Sequence, residues 1–161
     1  MSKVMWGYKG NLEGRNRINL FDTEIVSDIF GGDIENILTY AESKETATIQ
    51  KLWGTEDVYL VSNENVGSDF GAIAFLFHST RQKLRLIVGD RFFMLPSSVH
   101  EVLVMKYNED ADIDNLISMV REINRNKVKR SEWLSDTAYL VRLNGKYIEL
   151  MDLETGEVQF I

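Results

Sequence analysis

Five apolar residues, Ile113, Leu116, Ile117, Val120 and Ile123, recur at i, i+3, i+4, i+7 and i+10, the strongest constraint on how this chain folds. A helix carrying such a stripe must bury it against a sheet or another helix. Asp112 stands just before the stripe, where its side chain can cap the first turn. A second helix is expected after Asp33, with Ile34, Ile37, Leu38 and Ala41 at helical spacing. A third, short one carries Leu84, Ile87 and Val88. It is opened by Ser79 and Gln82 at capping-box spacing and closed by Gly89.

The rest of the chain reads as strands. Residues 137–143 and 146–151 flank Asn144-Gly145, the strongest short hairpin signal. Glu154-Thr155-Gly156 supplies a second turn into a last strand, 158–161. Residues 91–95 and 99–106 read as two strands that meet at Pro96-Ser97-Ser98. Strands are also expected at 3–8, 58–62 and 71–77, the last two joined by the turn-rich stretch 63–69. Strands and helices do not alternate regularly, which argues against a doubly wound parallel fold. The expected class is α+β, a mostly antiparallel sheet with two or three helices packed on one face. Length fits one domain over 1–161, with a strand and helix region at 1–54 and a core at 55–161.

Polar chemistry concentrates at Leu95-Pro96-Ser97-Ser98-Val99-His100-Glu101, which holds the only proline and one of the two histidines. A buried hydroxyl or imidazole costs stability unless it is paired, so such a segment between apolar runs needs a reason. If it is extended, Ser98 and His100 share one face and Glu101 lies on the other. Ser98 and His100 are then neighbours, as a base-assisted nucleophile requires, with Ser97 or Glu101 assisting. Ser98, His100 and Glu101 are the catalytic candidates, although no Gly-x-Ser-x-Gly elbow is present. The structural reading is a bend: Pro96 fixes its own φ, the serines satisfy main-chain groups, and His100 is a half-buried, bonded histidine.

Composition removes several function classes. There is no cysteine, which excludes disulfides, thiol nucleophiles and Cys-based metal sites. With only His78 and His100, no metal site is expected, and Gly31-Gly32 and Gly67 belong to no phosphate-cradling motif, so no cofactor is expected either. The apolar runs are too short to cross a bilayer and the N-terminus lacks a signal-peptide pattern, pointing to a cytoplasmic protein without a membrane partner. A net charge of −7 repels nucleic-acid backbones. The basic stretch Arg125, Lys127, Lys129 and Arg130 reads as the positive end of a helix, because no aromatic residues interleave with its charges.

Several segments together resemble the DUF5688 family of uncharacterised proteins, known from gut Firmicutes. They are Val58-Tyr59-Leu60-Val61-Ser62-Asn63, Gly71-Ala72, Leu95-Pro96-Ser97-Ser98-Val99-His100-Glu101-Val102, Met119-Val120-Arg121-Glu122-Ile123-Asn124 and Leu134-Ser135-Asp136-Thr137-Ala138-Tyr139. The resemblance spans roughly residues 55–145. It implies a bacterial or mobile-element origin, and no activity.

Two functions follow from these observations. The favoured one is a small acidic interaction protein with a protein partner, in concrete form a phage or mobile-element inhibitor of a host defence or nucleic-acid-processing complex. Its candidate contact residues are Trp53, Phe92 and Trp133 as aromatic anchors and Asp110, Asp112 and Asp114 as an acidic decoy surface. An exposed edge strand near the terminal hairpin would add a route to homodimerisation or strand addition. The alternative is a hydrolase or small-ligand-binding protein built on Ser98 and His100.

Overall fold

The computed structural model describes residues 7–8, 18–19, 35, 38–39, 42, 47–52, 57–63, 71–96, 98, 100–145 and 147–161. Strands β1 (Gly7–Tyr8) and β2 (Ile18–Asn19) pair as a small antiparallel ribbon. A larger sheet contains β3 (Ala47–Lys51), β4 (Val58–Asn63), β5 (Arg91–Leu95), β6 (Val102–Lys106), β7 (Tyr139–Asn144), β8 (Tyr147–Asp152) and β9 (Val158–Phe160). Its order is β3-β4-β6-β5-β7-β8-β9, and every neighbouring pair is antiparallel. The α+β class and the dominant antiparallel sheet are therefore as the sequence implies.

The two long helices are α1 (His78–Val88) and α2 (Ile113–Lys127). They do not share a face of the sheet, contrary to expectation. Leu84 and Val88 of α1 pack with Phe92, Met94, Val141 and Leu150, whereas Leu116, Ile117 and Val120 of α2 pack with Phe93, Leu95 and Leu140. Residues Phe92 to Leu95 of β5 are all buried, alternating between the two clusters. A strand covered on both faces carries a continuous apolar run, and the second cover here is a second helix. Leu38, in a helical stretch that also holds Glu35, Thr39 and Glu42, is fully buried on the α1 side.

The run at 71–77 is also not a strand. It forms a 3-10 helix, Gly71–Leu76, leading directly into α1, and Ala72 through Phe77 are all buried. A segment enclosed on every side shows no alternation by which a strand and a helix could be told apart. Sequence reasoning missed β3 altogether.

Local signals explain most of the remaining boundaries. Asp112 caps α2 by accepting from the Asn115 amide at 3.1 Å. Gly89 ends α1 with φ of +89° and donates its N–H to the Arg85 carbonyl. Gly145, at φ +58°, turns the β7–β8 hairpin. The start of α1 is less conventional: its N-cap residue, Phe77, provides no side-chain cap. The Glu42 carboxylate does so from a distant segment, accepting from the Ser79 amide at 3.1 Å.

Candidate functional site

The segment after β5 is fastened at successive positions. The Pro96 carbonyl accepts from the Ser135 amide, and Ser98 bridges to Trp133. Ser98 is buried, and its Oγ accepts from the His100 amide at 3.0 Å. The His100 carbonyl accepts from Ser62 Oγ of β4 at 2.9 Å. These contacts are those of a bend whose small hydroxyls satisfy main-chain groups. Ser97 and Val99 lie outside the described residues.

The His100 ring turns to Glu132, which no local pattern singles out. Its Nε2 stands 2.5 Å from Glu132 Oε2, and each side chain is about one-quarter exposed. Glu132 belongs to a short 3-10 helix, Arg130–Glu132, that follows α2. Thus Glu132, rather than Glu101 or Ser98, orients the imidazole. Ser98 and His100 are brought together through hydroxyl and main-chain amide, not through hydroxyl and imidazole as a nucleophile and its base require. Glu101 is half-buried, and among the described residues no ion pair joins it to His100.

Trp133 is half-buried and closes the C-terminus of α2. Its Nε1–H donates to the Asn124 carbonyl at 3.2 Å and the Val128 carbonyl at 3.1 Å, in the region where a helix leaves carbonyls without partners. The Arg130 guanidinium lies 4.3 Å and that of Arg125 5.6 Å from the ring centroid. An aromatic residue therefore does stand among the basic stretch, in space though not in sequence.

The acidic candidates also have local roles. Asp112 caps α2, Asp114 sits in its first turn, and the Asp110 amide is held by Asn108 Oδ1 in the preceding turn. Negative charge there complements the positive end of the helix dipole. Phe92, expected as an interface anchor, is fully buried and meets Phe75 edge to face at 6.0 Å, so it is a core residue. A side chain without exposed surface cannot anchor a partner. Trp53 lies outside the described residues.

Exposed apolar side chains gather elsewhere, at the β8–β9 end of the sheet. Phe160 is 66% exposed, Tyr147 60% and Val158 45%. Alternation with Ile148 and Leu150, which face the α1 side, puts Val158 and Phe160 on the α2 side, beyond the reach of that helix's buried stripe, while Tyr147 at the hairpin end borders residues of α1. Ile148 and Ile161 exchange both main-chain bonds, and the Asp152 amide donates to the Glu157 carbonyl. By the alternation of an antiparallel ladder, the N–H and C=O groups of Val158 and Phe160 then point away from β8, at the free edge.

Among the described residues, no three His, Asp or Glu side chains gather as metal ligands, and no helix is long and apolar enough to cross a membrane. The family model DUF5688, described as a family of unknown function, matches residues 22–142. No curated protein and no solved structure matches the chain.

Proposed function

On the premise that this chain belongs to the DUF5688 family, we propose that it is a small acidic interaction protein of the cytoplasm that takes a protein partner along the free edge of its sheet. The observation that carries this reading is β9. It is an edge strand with two exposed apolar side chains and outward-facing main-chain groups, and it contains no lysine, proline or bulge to blunt it. A partner adding an extended segment there gains main-chain hydrogen bonds for affinity and contacts to Val158 and Phe160 for selectivity. Carried by a phage or another mobile element, such a protein would act by occupying a host defence or nucleic-acid-processing complex.

The test is capture from lysate with tagged wild type, a Val158→Lys/Phe160→Glu double variant, and a Ser98→Ala/His100→Ala double variant. Wild type and the Ser98/His100 variant should hold the same stoichiometric partner, and the edge variant should lose it. Capture undiminished by the edge substitutions refutes this surface. Should size-exclusion chromatography of purified wild type give a dimer that the edge variant lacks, the partner is a second copy.

One observation supports a catalytic second reading: His100 is oriented by a carboxylate and is partly exposed. Catalysis there would require Ser98 to release the His100 amide and present its hydroxyl to the ring. Loss of a hydrolytic activity in both His100→Ala and Glu132→Gln, with unchanged partner capture, would favour it.

A further inference from the structure

Four arginines that are scattered in sequence line two clefts near the β7–β8 turn and the start of β5, Arg81 and Arg85 in one, Arg91 and Arg142 in the other. Both clefts adjoin Leu143. One of about 130 Å³ is lined by His78, Arg81, Gln82, Arg85, Gly145 and Tyr147. The other, open and about 390 Å³ in volume, is lined by Asp90, Arg91, Arg142, Leu143, Asn144 and Glu149.

The larger cleft is chemically the more informative. Arg91 and Arg142 are direct cross-strand partners on β5 and β7, so both side chains leave the same face of the sheet. Like charges placed directly opposite each other destabilise a sheet. Among the described residues, neither guanidinium is in an ion pair or donates a hydrogen bond to a side chain or carbonyl. Arg91 instead stacks on Tyr107, its Cζ 3.8 Å from the ring centroid. Stacking fixes the plane of the guanidinium and leaves its in-plane N–H donors available. Of the two carboxylates in the lining, Asp90 is engaged by Arg85 at 2.7 Å, which leaves Glu149 beside Arg142.

We propose that this cleft binds a phosphate group, either free or as the head of a small phosphomonoester. Two planar forks from neighbouring strands can each present paired donors to a doubly charged anion with several oxygens, and the anion relieves the repulsion between them. A carboxylate has two oxygens, and one fork suffices for it. The cleft's volume lies in the range of small-molecule sites. This inference does not rest on the edge-strand reading: of the six cleft residues only Glu149 pairs with a β9 residue, Phe160.

The experiment is isothermal titration of the full chain with inorganic phosphate and, separately, glycerol 3-phosphate, against chloride and acetate at matched ionic strength. Saturable one-to-one binding of at least one phosphate probe is expected, with neither control anion saturating. Arg91→Gln and Arg142→Gln should each weaken it roughly tenfold or more, the cost of losing a charge-assisted fork. Arg142→Lys should fall between, and Arg130→Gln, outside the cleft, should leave binding unchanged. Glu149→Gln should tighten it by removing the facing negative charge. Saturation by inorganic phosphate alone identifies free phosphate as the source, and by glycerol 3-phosphate alone an ester. No saturation by either probe, or equal binding by Arg142→Gln with its circular dichroism unchanged, overturns the proposal.

Discussion

Replacing Asn124 by alanine should destabilise the protein by about 2–3 kcal/mol, a large effect for one polar side chain. Asn124 is fully buried near the end of α2. Its Nδ2 donates to the Ser135 carbonyl at 2.8 Å and to Asp136 Oδ1 at 3.0 Å, tying the helix to the approach to β7. The neutral bond is worth about 1 kcal/mol, and leaving the Ser135 carbonyl buried without its donor costs about as much again. The bond to Asp136 is discounted, because that carboxylate is partly exposed and keeps Arg125 at 3.3 Å. Asn124 Oδ1 has no hydrogen-bond partner, so its removal returns part of the loss, while the truncated side chain leaves a small void. Urea unfolding of wild type and variant at neutral pH measures the difference, with m unchanged and Tm lower by roughly 5–10 °C. Asn124→Asp should be worse than alanine, since it sets a buried carboxylate against Asp136 and the Ser135 carbonyl. A loss below about 0.5 kcal/mol for alanine, or an aspartate variant as stable as wild type, would refute the reasoning.

Three further outcomes follow from the packing and the caps. Phe92→Ala should cost about 3–5 kcal/mol and Phe160→Ala within about 0.5, because one ring is core and the other exposed; equal losses in thermal unfolding would contradict that assignment. Asp112→Ala should cost about 1 kcal/mol through the lost α2 cap, with Asp112→Asn largely sparing it; urea midpoints decide, and an alanine variant matching wild type would show the cap to be idle. Burial alone would raise the Glu42 carboxyl, but the Ser79 hydroxyl, the Ser79 and Ser79-adjacent His78 amides, and the His78 charge together hold it below the usual glutamate value. A carboxylate lowered on folding stabilises above its unfolded pKa and loses that contribution as pH falls through the folded value. The stability gap between wild type and Glu42→Gln should therefore be widest near neutrality and close in acid, and a gap that widens on acidification would refute this.

What the sequence made legible depended on local pattern. The β7–β8 hairpin, α2 and its cap, and β5 follow from signals contained within a dozen residues, and the structure has them within a residue or two. The 71–77 run carries no such signal, because complete burial erases the periodicity that separates a strand from a helix. Residues 47–51 offer only Ala47 and Ile49 as apolar positions, too weak an alternation to announce a strand at the sheet edge. The α2 stripe is buried at Leu116, Ile117 and Val120, as its spacing implies, and departs only at its end, where Asn124 rather than the half-buried Ile123 continues into the core, because a polar residue with partners can occupy a core position. At the candidate segment, proline and serines announced the bend, but the partner of His100 came from 32 positions away. The Arg91–Arg142 opposition likewise exists only through strand register, which no spacing in one chain encodes.

The order of strands in the sheet has a consequence for how the molecule forms and opens. The pairing of β5 with β6 and the meander β7–β8–β9 each close short stretches of chain. They meet at a single seam, β5 against β7, where Arg91 pairs with Arg142 and Met94 with Tyr139 across the whole intervening length that includes α2. Loop closure makes such a non-local pairing slow to form, and local units precede it. The pairing of β4 with β6 is similarly non-local, so both it and the seam close late, and amide exchange of β7 toward β5 reports the opening of the seam.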